Sequence, residues 1–109
     1  MTGIYKQIDN NTGGAETITV ITKNSGVSGN INKILIVNEN TSNVVNVTVD
    51  LYDGTNTFTI IKEKEIAVKT SLVLSDNVDF DSNIFSLRIT TSGTNPLITV
   101  IINNETRSN

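Results

Sequence analysis

The chain has 109 residues, a formal net charge of −3 and a sequence pI near 4.7, enough for one domain and too short for two. It contains no Cys, His or Trp, which removes disulfides, thiolate metal sites, the usual neutral-pH proton shuttle and the commonest metal ligand. Eight basic residues against eleven acidic ones lack the electrostatic footprint of a nucleic-acid binder.

In chain order, residues Met1 to Ile8 place Ile4, Lys6 and Ile8 on one side and Tyr5 and Gln7 on the other, as either an N-terminal arm or an edge strand would. The N-terminus has no apolar run of the signal-peptide kind, and no segment approaches the ~20 apolar residues of a membrane helix. The expectation is therefore a soluble chain made in a cytoplasm, with no membrane partner. Asp9–Gly14 is rich in Asn and Gly and reads as a loop. Thr17–Thr22 carries Ile18 and Val20 on one face, and Asn24–Asn30, with Gly26 and Gly29, breaks it. Ile31–Asn38 has apolar residues on both faces, the mark of a central strand with a core on one side and a loop or neighbouring subunit on the other.

Val45–Tyr52 alternates strictly between apolar and polar, Asp53-Gly54 breaks it, and Thr57–Ile60 returns. A strand, a turn with positive φ at Gly54 and a second strand are predicted. Lys62–Glu65 alternates in charge and suits a solvated edge. Ile66–Leu74 follows, Ser75–Asp79 and Asp81–Asn83 are turns around Phe80, and Ile84–Thr90 sends Phe85, Leu87 and Ile89 inward. Thr91–Pro96 reads as a loop, Leu97–Ile102 as the last strand with Ile98, Val100 and Ile102 aligned, and residues 103–109 as a flexible tail. Roughly seven to nine short strands without a helical period predict an all-β fold. The expected form is a single-domain antiparallel β-sandwich, jelly-roll or Ig-like. Its core is expected to contain Val45, Val47, Val49, Leu51, Phe58, Ile60, Leu72, Leu74, Phe85, Leu87, Ile89, Ile98, Val100 and Ile102.

No catalytic group stands out on this frame. Asp76, Asp79 and Asp81 could form a loose calcium site, but the helix-loop-helix calcium motif would need a glycine at position 84 and a carboxylate at position 90. The chain has Ile84 and Thr90 there. The simpler reading is a turn whose Asp and Asn side chains cap the backbone, so no metal, cofactor or catalytic residue is assigned. Four Asn-x-Ser/Thr triplets are chance matches in a chain so rich in Asn and Thr. Residues proposed for protein contact are Ile4, Tyr5 and Ile8 in the N-terminal segment, Leu35 and Val37 on the second face of the central strand, and Tyr52 beside the Asp53-Gly54 turn.

Ile4–Ile8, Ile34–Asn38, Val47–Ile60, Ile66–Leu74 and Asp81–Ile102, taken in order, resemble small virion structural proteins of tailed bacteriophages, especially those of marine cyanobacterial phages. The resemblance covers nearly the whole chain. One departure is Ala67–Thr70, where such proteins often carry a Pro-x-Gly turn. The resemblance implies a non-enzymatic capsid decoration or cement protein, or a neck or tail adaptor. It would reside in the virion and partner capsid or other virion chains or its own copies. A carbohydrate-binding module is a rival class, opposed by the lack of Trp. A small hydrolase or lyase is the weakest, because His and Cys are missing.

Overall fold

Alternating β-branched residues, punctuated by Asn, Asp and Gly, form nine strands among the residues that the computed structural model describes, 2–10, 15–75, 78–94 and 96–106. They are β1 (Thr2–Asp9), β2 (Glu16–Ile21), β3 (Ser28–Asn38), β4 (Val45–Tyr52), β5 (Thr57–Ile66), β6 (Ser71–Leu74), β7 (Val78–Asp81), β8 (Ser86–Gly93) and β9 (Leu97–Thr106). One sheet runs β1-β9-β3-β6, with β7 also pairing with β3, and the other runs β2-β8-β4-β5. Every pairing is antiparallel.

The connectivity is a nest. The β4–β5 hairpin is its tip, and outside it β3 pairs with β6, β2 with β8 and β1 with β9. Wrapping this four-pair ribbon on itself brings β9 beside β3 and β8 beside β4, which is the eight-stranded jelly roll. β7 is an extra short strand that continues the edge begun by β6. Of the two sandwich forms left open by the sequence, the structure selects the jelly roll.

The core lies between the sheets and is aliphatic: Ile31, Ile34, Ile36, Val45, Val47, Val49, Leu87, Ile89, Ile98, Val100 and Ile102 are buried, as is Phe80. Ile31 and Ile34 are three residues apart, and plain alternation would send them to opposite faces. A register shift between Ile31 and Lys33 inserts one extra residue in β3, and this bulge turns both isoleucines inward. A similar shift between Thr19 and Ile21 in β2 buries Ile21.

Several expectations are corrected. Phe58, expected in the core, is 51% exposed: it lies opposite Leu51 on the edge strand β5, with no further strand to cover it. Its ring meets Phe85 edge-on, centroids 5.8 Å apart. Ile60, Leu72, Leu74 and Phe85 are partly buried and pack against the core. Thr91, expected in a loop, lies in β8 opposite Val47 and is fully buried. The expected tail is strand through Thr106, paired with β3, and Asn104 is buried. Residues 107–109 lie outside the described residues.

Polar anchors fasten the sandwich ends. Asn38 is buried, and its Nδ2 donates to the carbonyls of Asn43 and Ile66 at 3.0 Å and of Ala67 at 3.3 Å, while its Oδ1 accepts from the Asn40 N–H at 2.9 Å. One side chain thus ties the β3–β4 and β5–β6 connections together. In the second of these, the Thr70 N–H donates to the Ala67 carbonyl and Lys69 takes φ 58°. This is the left-handed position that Gly occupies in a Pro-x-Gly turn.

Leu87→Ala is expected to cost about 2–5 kcal/mol, from lost burial plus a cavity, whereas Phe58→Ala costs less than half as much because its ring is half in solvent. Urea unfolding of the two variants checks the ranking. Gly54 has φ 105°, so Gly54→Val should cost roughly 1–3 kcal/mol from backbone strain, read as a lowered Tm.

Candidate functional site: the outer faces of the two sheets

Strand parity decides what each outer face carries. On the first sheet the outward residues line up in rungs across the strands. Tyr5 stands beside Ile101, Ile101 beside Leu35 and Leu35 beside Val73. This apolar rung crosses the four strands β1, β9, β3 and β6. Tyr5 is 73% exposed and Val73 is 48% exposed, while Ile101 and Leu35 are half-buried by their neighbours. The next rung is Gln7, Thr99, Val37 and Ser71, and beyond it Asp9 pairs with Leu97. On the other side lie Gly3, Asn103 and Lys33.

Gly3 has a specific use here. A Cβ at this position would stand 2.7 Å from the Tyr5 hydroxyl and 3.0 Å from its ring carbons. The missing side chain therefore lets the ring fold back along β1 over the sheet. Charges flank the apolar rungs: Lys33 is exposed at one end, and Asp9 and Glu39 are exposed at the other. The Glu39 carboxylate accepts from the Thr99 hydroxyl at 3.2 Å, which draws it over the sheet.

The second sheet presents a different face. Asp50 is buried, although it lies in the outward phase of β4. It accepts from Arg88 Nε at 2.8 Å, and the guanidinium lies 4.0 Å from the Tyr52 ring centroid. The Tyr52 hydroxyl donates to the Gly54 carbonyl at 2.9 Å. Thr17 and Thr90 join hydroxyls at 2.7 Å across β2 and β8. The polar groups on this face are largely consumed by one another.

The predicted contact residues therefore separate. Tyr5, Leu35 and Val37 share the outer face of the first sheet. Ile4 and Ile8 point the other way: Ile8 is 3% exposed in this chain's own core and Ile4 packs against it. The N-terminal segment closes its own sheet against β9, so Ile8 does not reach the surface as a contact residue would, and Ile4 is only partly open to solvent. Tyr52 lies on the opposite sheet, under Arg88. Sequence reasoning missed Ile101, Val73, Gly3 and Lys33. The parity of β9 and β6 already turns Ile101 and Val73 outward, but only the sheet order puts them in one rung.

Asp76 lies outside the described residues. The Asp81 carboxylate accepts from the Asn83 N–H at 2.9 Å, the backbone cap expected of that turn. Among the described residues no cluster of three or more potential metal ligands occurs, and no helix is long and apolar enough to cross a membrane.

No family model and no curated protein matches the chain. A solved structure titled "Structure of infectious bursal disease virus Gx strain" superposes with a TM-score of 0.46 at 16% sequence identity, covering 94% of this chain and 29% of that chain. The chain thus spans less than a third of that protein's length.

The loop between β4 and β5 is electrostatically tuned. Backbone N–H groups of Asn56 and Thr55 donate to the Asp53 carboxylate at 2.6 and 2.8 Å and hold its pKa below the ordinary aspartate value. A depressed folded-state pKa stabilises the fold above the unfolded value of about 4 and loses that contribution as pH falls through the folded value. Carbon-detected NMR titration should find Asp53 protonating below the ordinary aspartate value, and Asp53→Ala should remove this part of the acid sensitivity.

Proposed function

We propose that this chain is a non-enzymatic structural protein of a virus particle, which docks through the outer face of β1, β9, β3 and β6. The observation that carries the reading is the apolar rung Tyr5–Ile101–Leu35–Val73, which crosses the outer face of the first sheet on four successive strands. Jelly rolls are common among viral capsid and lectin domains, and an apolar strip partly open to solvent on such a module is a feature of contact surfaces. The sequence resemblance to tailed-phage virion proteins supports the same reading and narrows it to a capsid decoration or cement protein, with a neck or tail adaptor as the variant. Many copies on one particle turn modest individual contacts into stable attachment through avidity.

A second reading, a carbohydrate-binding module, is favoured by one feature. The Tyr5 ring folded over Gly3 offers an aromatic surface of the kind on which a sugar ring can stack.

Mass spectrometry of purified particles, quantified against the major capsid protein, tests the first reading. The chain is expected at a fixed copy number per particle, and its confinement to the soluble fraction of the infected lysate would overturn the proposal. A glycan array tests the second, where Tyr5→Ala should abolish any binding that occurs.

A further inference from the structure

We infer that the partner for the outer face of the first sheet is a second copy of the same face, turned end over end. The inference rests on reading that face as a docking surface and is independent of where the protein resides. Its basis is the order of charges along the rungs. Lys33 marks one end of the face, and among the described residues it makes no ion pair. Glu39, six residues on, marks the other end together with Asp9. At ~3.3 Å per residue, Lys33 in β3 and Glu39 just past its end are about 20 Å apart.

A two-fold axis lying across the strands, level with Ile36, exchanges these ends. It sets Lys33 over the partner's Glu39 and, by symmetry, Glu39 over the partner's Lys33. Leu35 then falls over the partner's Val37. On β1, whose register with β9 and β3 shares the same rungs, Tyr5 falls over the partner's Gln7 and Gly3 over the partner's Asp9. The Tyr5 hydroxyl, which lies beside Gly3, is thereby brought towards two side chains that can accept its proton. Asp79, on β7 opposite Asn30, lies beyond Lys33 at the rim of the face. The alternative two-fold, parallel to the strands, puts Lys33 over the partner's Asn103 rather than directly over a carboxylate. Charge complementarity therefore selects the end-over-end dimer, an isologous contact in which each surface meets itself.

The face suits an adjustable association. Four strands ~4.8 Å apart and four rungs ~6.7 Å apart give about 500 Å² of projected surface per copy, near the small end for specific interfaces. The expected species is a dimer in concentration-dependent exchange, weakened by salt because its ion pairs lie at the rim.

Analytical ultracentrifugation of the purified full chain over a range of concentrations tests this, with thermal unfolding as the folding control. The native chain should dimerise reversibly. Lys33→Glu alone and Glu39→Lys alone should each weaken the dimer about tenfold or more, because symmetry converts two attractive pairs into two repulsive ones. The double variant Lys33→Glu/Glu39→Lys should restore it, and Leu35→Asp should abolish it. A chain that stays monomeric to millimolar concentration overturns the inference, and so does a dimer indifferent to all four variants or failure of the double variant to recover. Particle mass spectrometry separates the two proposals: a monomer found in particles sinks only this one, and a dimer absent from particles sinks only the virion reading.

Discussion

The first sheet depends on a single change of phase in β3, an eleven-residue strand that pairs with β9, β6 and β7. β9 covers the full length of one side, and β6 and β7 divide the other. The bulge between Ile31 and Lys33 resolves a conflict in the strand: without it, either Ile31 or the pair Ile34 and Ile36 would face water. With it, all three enter the core, and Lys33, Leu35 and Val37 emerge together on the outside. The core packing and the outer face are therefore set by the same single extra residue. A shift of one position in this strand would exchange the two faces wholesale.

The two outer faces obey different constraints. On the second sheet a buried carboxylate is paired with a guanidinium that also covers an aromatic ring, and hydroxyls pair across strands. Such a face has little to offer a partner, because its strongest groups are already satisfied. The first sheet leaves aliphatic and aromatic side chains partly uncovered and keeps its charges at opposite ends. The edges are guarded as well. β5 departs from regular pairing with β4 at two points and carries Lys62, Glu63, Lys64 and Glu65 in solvent. Glu63 adopts φ 50° and its N–H donates to the Thr48 hydroxyl. In β1, Lys6 falls in the inward phase yet remains exposed. Bulges and charges of this kind discourage strand addition at an edge. The edges, where any extended backbone would do, are thereby less open to a partner, and the proposed docking is left to a face, where side chains decide who fits.

The β4–β5 hairpin shows how local chemistry seeds the larger topology. It is the innermost pair of the nest, and its loop closes with Asp53 accepting from two backbone N–H groups while Gly54 takes the positive φ. Each outer pair joins strands progressively further apart in sequence, ending with β1 on β9. Those long-range pairs depend on anchors such as Asn38, whose side chain holds two connections at once. An Asn at the end of an apolar run looks in the sequence like an ordinary turn residue, and only its burial reveals the role.

By itself, the sequence determined most of the strands, most of their inward residues and the positive φ at Gly54, because these follow from period-two alternation and the steric limits of one residue, whereas β7 fell where turns were expected around Phe80. It also placed Leu35 and Val37 on an outward face, since one core cannot receive both sides of a strand. It could not show that Phe58 would stand at an uncovered edge, that Thr91 and Asn104 would be enclosed, or that the N-terminal segment would complete its own sheet. Burial depends on which strands are neighbours, and neighbours in a nested ribbon are set by pairings up to the length of the chain apart. The rung joining Tyr5, Ile101, Leu35 and Val73 draws one residue from each of four strands. Only the tertiary structure could assemble it, because cross-strand register is a relation between segments that no single segment encodes.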